Sequence, residues 1–179
     1  MKICIFSDVH GRKLAMEKVL ERLEKEKPDC LFLLGDYLYN GPRNGVPSDY
    51  DGMAVCEMLK PLLEKAVFVR GNCDAKVDEM VLGCSLPLRM EKVVNGRHCV
   101  LAHGDELDPA FLKLSKGDIF FSGHTHIQVL EEKDGIIYVN PGSTSFPKGG
   151  NEASYATLEE GKISLKRLSD GSVIASMDI

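Results

Sequence analysis

Apolar residues recur with two different periods along this chain. A run within 2–7 ends at Ser7-Asp8 and predicts a buried strand. From 13 to 27, Ala15, Met16, Val19, Leu20 and Leu23 recur at helical spacing with charges between them, and Pro28 blocks continuation. Residues 30–34 predict a second buried strand, closed by Gly35-Asp36. A polar loop rich in Gly and Pro spans 39–52. Met53, Cys56, Leu59, Leu62 and Leu63 predict a second helix whose last turn is disturbed by Pro61. Residues 66–70 predict a third strand, closed by Gly71-Asn72. This alternation predicts parallel strands joined by crossover helices.

The second half changes character. Short strands are predicted at 88–94, 98–102, 119–122, 127–131, 136–139, 154–158 and 162–168, with a short helix at 109–114. Tight turns are marked by Asp134-Gly135 and Glu160-Gly161. No repeat or low-complexity segment interrupts the chain, and no long flexible linker separates the halves around 83–89. The pattern predicts an α/β protein with two sheets in one core, a single domain over 1–179.

The chemistry-bearing residues gather where strands end. Asp8-Val9-His10-Gly11, Gly35-Asp36, Gly71-Asn72-Cys73-Asp74, His103-Gly104 and Gly123-His124-Thr125-His126 each follow a predicted strand. In open α/β sheets, sites form at the carboxyl ends of strands. A lone Asp after a strand is usually a helix cap, and a lone His beside Gly is usually a turn residue. Five such elements in one chain, holding four of its five histidines, are better explained by a shared site. Asp8 and His10 are two apart, so in extended backbone they point to one side; the same holds for His124 and His126. Asp36 carries two oxygens and is suited to bridging, and Asn72 offers a neutral carbonyl oxygen. Imidazole, carboxylate and amide ligands together suit borderline divalent ions such as Mn, Fe, Co, Zn or Ni, not a thiolate-rich structural zinc site. The flanking Gly11, Gly35, Gly71, Gly104 and Gly123 permit positive φ and close backbone approach. His98, after Asn95-Gly96, is expected to be a solvated turn-edge residue.

Composition narrows the partners. The chain has 179 residues, no Trp and a net charge of −5, which argues against nucleic-acid or membrane-surface binding. Bound cations would still make an anionic substrate acceptable. The N-terminal apolar run is too short for a signal sequence and no run approaches a membrane span, so a cytoplasmic protein is expected. Cys4, Cys30 and Cys99 lie in strand-like runs and are expected to be buried reduced thiols.

The series Asp8-x-His10, Gly35-Asp36, Gly71-Asn72-x-Asp74, His103-Gly104 and Gly123-His124-x-His126 resembles the signature of the calcineurin-like metallophosphoesterase superfamily. Three further stretches, 40–44, 70–74 and 140–143 with 147–151, are similar to the small bacterial YfcE-type phosphodiesterases. The resemblance implies a four-layer α/β/β/α sandwich of two mixed sheets. It also implies two divalent ions, usually Mn2+. Asp8, His10, Asp36 and His126 would hold one; Asp36, Asn72, His103 and His124 would hold the other. The implied reaction is hydrolysis of small phosphate diesters by a hydroxide between the two ions. Asn72, Cys73, Asp74 and His103 are the residues expected to act on the ester, and Arg43, Asn44 and Lys148 those expected to orient it.

One position departs from the superfamily. Where most members have His, able to protonate the leaving group, this chain has Cys73, as the YfcE-type relatives do. A thiol is a poor acid catalyst near neutral pH. Asp74 is expected to orient neighbours more than to act as an acid. Other readings of the same fold are a phosphomonoesterase, a nuclease, or a binding scaffold like that of the retromer coat. The complete ligand set argues against the scaffold, and the short acidic chain against a nuclease. Homo-oligomerisation through exposed apolar residues such as Phe146 is a further expectation.

Overall fold

The structure, a computed structural model, describes residues 1–106 and 109–179, with the side chains of 109 and 110 outside the description. Two mixed sheets face each other. In the first, β1 (Ile3–Phe6), β2 (Cys30–Leu33) and β3 (Ala66–Phe68) run parallel. Beside them lie the antiparallel β9 (Ser154–Glu159), β10 (Lys162–Arg167) and β11 (Val173–Asp178), giving the order β11-β10-β9-β1-β2-β3. The second sheet has the order β4-β5-β6-β8-β7. Its parallel centre is β5 (Arg97–Ala102), β6 (Ile119–Phe121) and β8 (Ile136–Pro141). Its antiparallel edges are β4 (Arg89–Val94) and β7 (Gln128–Lys133).

Strand alternation distributes the core among three layers. Ile3, Ile5 and Phe32 of the first sheet meet Cys99, Leu101, Ile119 and Phe121 of the second, one apolar cluster shared by both. Phe32 and Phe121 pack edge to face at 5.6 Å. Truncating either to Ala would cost about 3–5 kcal/mol. The alternate residues Cys4, Phe6, Leu31 and Leu33 face outward onto α1 (Lys13–Glu26), α2 (Gly52–Leu59) and α3 (Lys76–Leu82). Val100, Ala102 and Phe120 of the second sheet pack with Leu112 of α4 (Pro109–Leu112). The result is the α/β/β/α order, with a fourth layer only one helical turn thick.

Several sequence expectations change. The second helix ends at Leu59 and continues as a 3-10 turn over Lys60–Lys65 containing Pro61, whose missing N–H cannot continue the α ladder. The periodicity left α3 unpredicted because seven residues are too few to show a period. It also left β11 unpredicted, because this edge strand is mostly exposed and carries no core alternation. Cys4 and Cys99 are buried as expected, but Cys30 is half-buried; all three are free thiols. No helix among the described residues is long and apolar enough to cross a membrane.

Candidate metal centre

Five loops meet at one edge of the sandwich. β1 leads to Asp8 and His10, β2 to Asp36, β3 to Asn72, β5 to His103 and β6 to His124 and His126. The first sheet therefore supplies both carboxylates and the amide, and the second supplies three of the four imidazoles. Asp8, His10, Asp36, His103 and His126 are buried, with at most 2% exposure. Asn72 is exposed and His124 half-buried, so this part of the cluster opens outward.

The local backbone is strained. Asp8, His10, Asp36, His124 and His126 have φ of 58°, 51°, 59°, 64° and 61°. Side chains other than glycine pay roughly 1–2 kcal/mol for this left-handed region, and such residues concentrate at functional sites. The extended-backbone argument for Asp8 and His10 is thereby corrected: both sit in a turn. Backbone bonds hold that turn, with Asp8 N donating to Gly35 O at 3.2 Å and His10 N to Asp36 O at 2.8 Å. The pair His124 and His126 does not converge on one point. His126 faces Asp8 and His10, whereas His124 faces Asn72. Two glycines are fixed by close approach: a methyl at Gly71 would run into the Asp36 carboxylate, and one at Gly123 into Ser7 Oγ.

The imidazoles are oriented from behind. His10 donates from Nδ1 to Tyr39 O at 2.9 Å, His103 to Leu34 O at 2.6 Å and His126 to Phe146 O at 2.7 Å. A carbonyl only accepts, so each ring keeps a proton on Nδ1 and turns Nε2 inward. The Nε2 atoms of His10 and His126 face each other at 3.2 Å. His126 Nε2 also lies 3.3 Å from Asp8 Oδ1. Asp36 Oδ2 lies 3.5 Å from His10 Nε2 and 3.4 Å from His103 Nε2, between the two groups of ligands. Asn72 Oδ1 lies 2.8 Å from His124 Nδ1 and 3.2 Å from His103 Nε2.

What Asp8 lacks is a donor. Both oxygens of Asp8 are buried with no hydrogen-bond partner. A buried, unpaired carboxylate is costly, and lone pairs crowded against lone pairs add to the cost. A cation removes both penalties, so the donor set fits a metal. Ligand atoms of Asp8, His10 and His126 lie within 4.8 Å of one another, as do those of Asp8, Asp36 and His103. Burial lifts the Asp36 carboxyl, but the bond and charge of His103, the Cys73 N–H and His10 outweigh it and hold it down at about 2. For His103, burial opposes protonation, but Asp36 and then Asp8 push it up to about 9. Burial holds His10 and His124 below the ordinary imidazole range.

The remaining candidates surround this cluster. Cys73 N donates to Asp36 Oδ1 at 2.8 Å. Burial, and then the Asp36 charge, push the Cys73 thiol up to about 12. Its Sγ also comes within reach of His10 and Asp36. Asp74 accepts from Asp36 N and Tyr37 N, both at 2.8 Å, and from Gly71 N at 2.7 Å. Burial lifts its carboxyl to about 7 against those three bonds. Arg43, Asn44 and Lys148 line the same cleft as His10, Asp36, Asn72 and His124. Asn44 is tethered by its Nδ2 to Asn40 O at 2.6 Å.

Two sequence expectations about bystanders are refined or corrected. His98 does sit at the start of β5 after the Asn95-Gly96 turn and is part-exposed, but its ring is paired, with Nε2 2.8 Å from Glu91 and Nδ1 3.1 Å from Asp118. Phe146 is not a free apolar surface, because its ring packs against His10 at 5.7 Å and under the Arg12 guanidinium at 5.1 Å. Sequence reasoning also missed the braces behind the ligands. Ser143 and Ser145 donate to Asp8 O at 2.9 and 2.7 Å, and Asn140 donates to Gly123 O at 2.6 Å. The signal was the polar run Asn140-Pro141-Gly142-Ser143-Thr144-Ser145 directly after an apolar strand.

Comparison with known proteins places this geometry. The sequence model described as the calcineurin-like phosphoesterase superfamily domain matches residues 1–162. The phosphodiesterase YfcE of Escherichia coli K12 is 40% identical over 181 residues, covering 100% of this chain and 98% of that protein. The solved E. coli Yfce phosphoesterase structure matches with a TM-score of 0.94 and 39% identity, covering 100% of both chains. Vps29 of Entamoeba histolytica, solved with zinc, matches with a TM-score of 0.65 and 21% identity over 99% of each chain, a likeness of fold alone.

Proposed function

This chain belongs to the calcineurin-like phosphoesterase superfamily, and we propose that it is a metal-dependent phosphodiesterase, one domain over 1–179, that hydrolyses small phosphate diesters. The observation that carries the metal part of this reading is the Asp8 carboxylate, fully buried with both oxygens unpaired. The diester part is supported by the full-length likeness to the E. coli phosphodiesterase.

Asp8, His10, Asp36 and His126 would hold one divalent ion and Asp36, Asn72, His103 and His124 a second, with Asp36 shared and Mn2+ the ion proposed. When bound, such ions activate water and offset charge on the phosphoryl oxygens. The chain's own residues do the positioning. The carbonyls of Tyr39, Leu34 and Phe146 fix the ring tautomers. The Cys73 N–H holds one oxygen of Asp36 and leaves the other turned toward His10 and His103. The three backbone N–H groups on Asp74 lock the Asp36 and Asn72 loops together. With only two carboxylates among seven ligands, the loaded centre keeps a formal positive charge that suits an anionic diester. Arg43, Asn44 and Lys148 would orient its phosphate. The Cys73 thiol is too weak an acid to protonate a leaving group, so esters of acidic alcohols should react best. A cytoplasmic location is supported by six unpaired cysteines.

The test compares bis-p-nitrophenyl phosphate with p-nitrophenyl phosphate on manganese-loaded and chelator-stripped protein. Diester turnover should exceed monoester turnover, vanish on stripping and return with Mn2+. Full activity in the stripped protein would sink the metal reading, and a clear monoester preference would make the protein a phosphatase.

A further inference from the structure

A second cavity, of about 660 Å³, adjoins the cleft and is lined by Tyr39, Tyr50, Met53, Val77 and Val81. Its size falls within the roughly 300–1,000 Å³ typical of small-molecule sites. Tyr39, Cys73 and Ala75 line both spaces, so the cavity abuts the cleft. Local structure explains the wall. Asp51 accepts from Ala54 N at 2.9 Å and starts α2, which sets Met53 in its first turn. Asp78 accepts from Ala75 N at 2.7 Å and starts α3, on which Val77 and Val81, four apart, share a face.

The two spaces differ in charge. Arg43 and Lys148 line the cleft beside Asp36 and Asp74, whereas the charged residues of the cavity are Asp51 and Asp78, with no cation. With cations held by the ligand cluster, an anion would be favoured in the cleft, and it is disfavoured in the cavity. Tyr39, Met53 and Val77 are nonetheless 47%, 56% and 57% exposed. Single exposed apolar residues are ordinary, but three around one cavity that shares a wall with the cleft mark a place for an apolar group. Two tyrosine rings and a methionine offer the flat, polarisable surface that suits an aromatic ring.

We propose that this cavity binds a neutral aromatic arm of the diester substrate while the phosphate occupies the cleft. The inference rests on the phosphodiesterase reading above. It makes the enzyme selective for diesters with at least one aromatic or heteroaromatic arm.

Two phosphodiesters that differ only in their arms provide the test. Diphenyl and dimethyl phosphate are titrated calorimetrically into metal-loaded wild type, Val77→Asp and Met53→Asp. Both substituted residues are exposed, and neither lines the cleft. Wild type should bind diphenyl phosphate at least about tenfold more tightly, given the apolar surface a ring buries. In both variants that ratio should fall below about threefold with dimethyl phosphate affinity unchanged. A ratio near one in wild type, or one that survives both substitutions, would overturn the proposal. Binding of neither phosphate, together with no turnover of any ester, would overturn the phosphodiesterase reading and this inference with it.

Discussion

The five histidines fall into two regions that solve the same problem in opposite ways. His98, on β5, sits between Glu91 and Asp118, and each ring nitrogen meets a carboxylate oxygen. Donor and acceptor are matched there, and the group is complete as it stands. At the strand ends, His10, His103 and His126 each give their Nδ1 donor to a backbone carbonyl and turn Nε2 inward, where both oxygens of the Asp8 carboxylate lack a donor. Both regions bring His and Asp together, yet only the second leaves a carboxylate buried with both oxygens unpaired. A matched pair stabilises a fold, whereas an unmatched cluster on strained backbone is the mark of a binding site.

The sharpest way to break this contrast is Asp36→Asn. The substitution keeps the shape but removes the charge shared between His10 and His103. Diester turnover should fall by roughly 10³-fold or more, since the ions' several kcal/mol of transition-state stabilisation depend on their seat. Turnover within a few-fold of wild type would remove Asp36 from the bridging role.

Asp8→Asn tests the unpaired carboxylate directly. In metal-free protein the substitution relieves an orphaned charge and should raise stability by about 1–3 kcal/mol. In metal-saturated protein it should lower stability, because a ligand is lost. Thermal melts with and without Mn2+ should therefore shift in opposite directions; shifts of the same sign would show that Asp8 is not a metal seat.

His98 should behave oppositely, with a small effect indifferent to metal. Glu91 and then Asp118 raise its pKa, against some loss from burial. A raised folded pKa means that this stabilisation is fully present below the unfolded value near 6.5 and is lost as pH rises through the folded one. His98→Ala should lower Tm by about 1–3 °C at pH 6 and by less at pH 9, the modest size expected of a part-exposed ion pair. A loss that grows with pH, or one that disappears on adding Mn2+, would break the distinction between the regions.

The smallest effect is expected at Cys73, whose Sγ lies within reach of His10 and Asp36. A thiol is a poor acid catalyst near neutral pH. Cys73→Ala should change turnover of p-nitrophenyl diesters by less than about threefold, and wild type should react far more slowly with alkyl esters. A flat leaving-group dependence, with collapse of Cys73→Ala on every ester, would give the thiol a direct role.

The sequence by itself determined the order of the principal strands and helices and the loops that carry chemistry. Apolar period and punctuation by Gly, Asp and His are local properties, written into consecutive residues such as Ile3–Asp8 and Ile119–His126. It also marked the candidate ligands, because residue type and strand-end position coincide there. It did not reveal α3, too short to show a period, or β11, an exposed edge without alternation. Only the tertiary structure decided that Asp8 and His10 have left-handed backbone and that the N–H groups Asp74 braces are those of Asp36, Tyr37 and Gly71. The carbonyls of Tyr39, Leu34 and Phe146 that orient the rings belong to every residue type alike, so no sequence pattern could single them out. Their role depends on distance and direction across loops far apart in the chain, and those are set only when the two sheets close over their shared core.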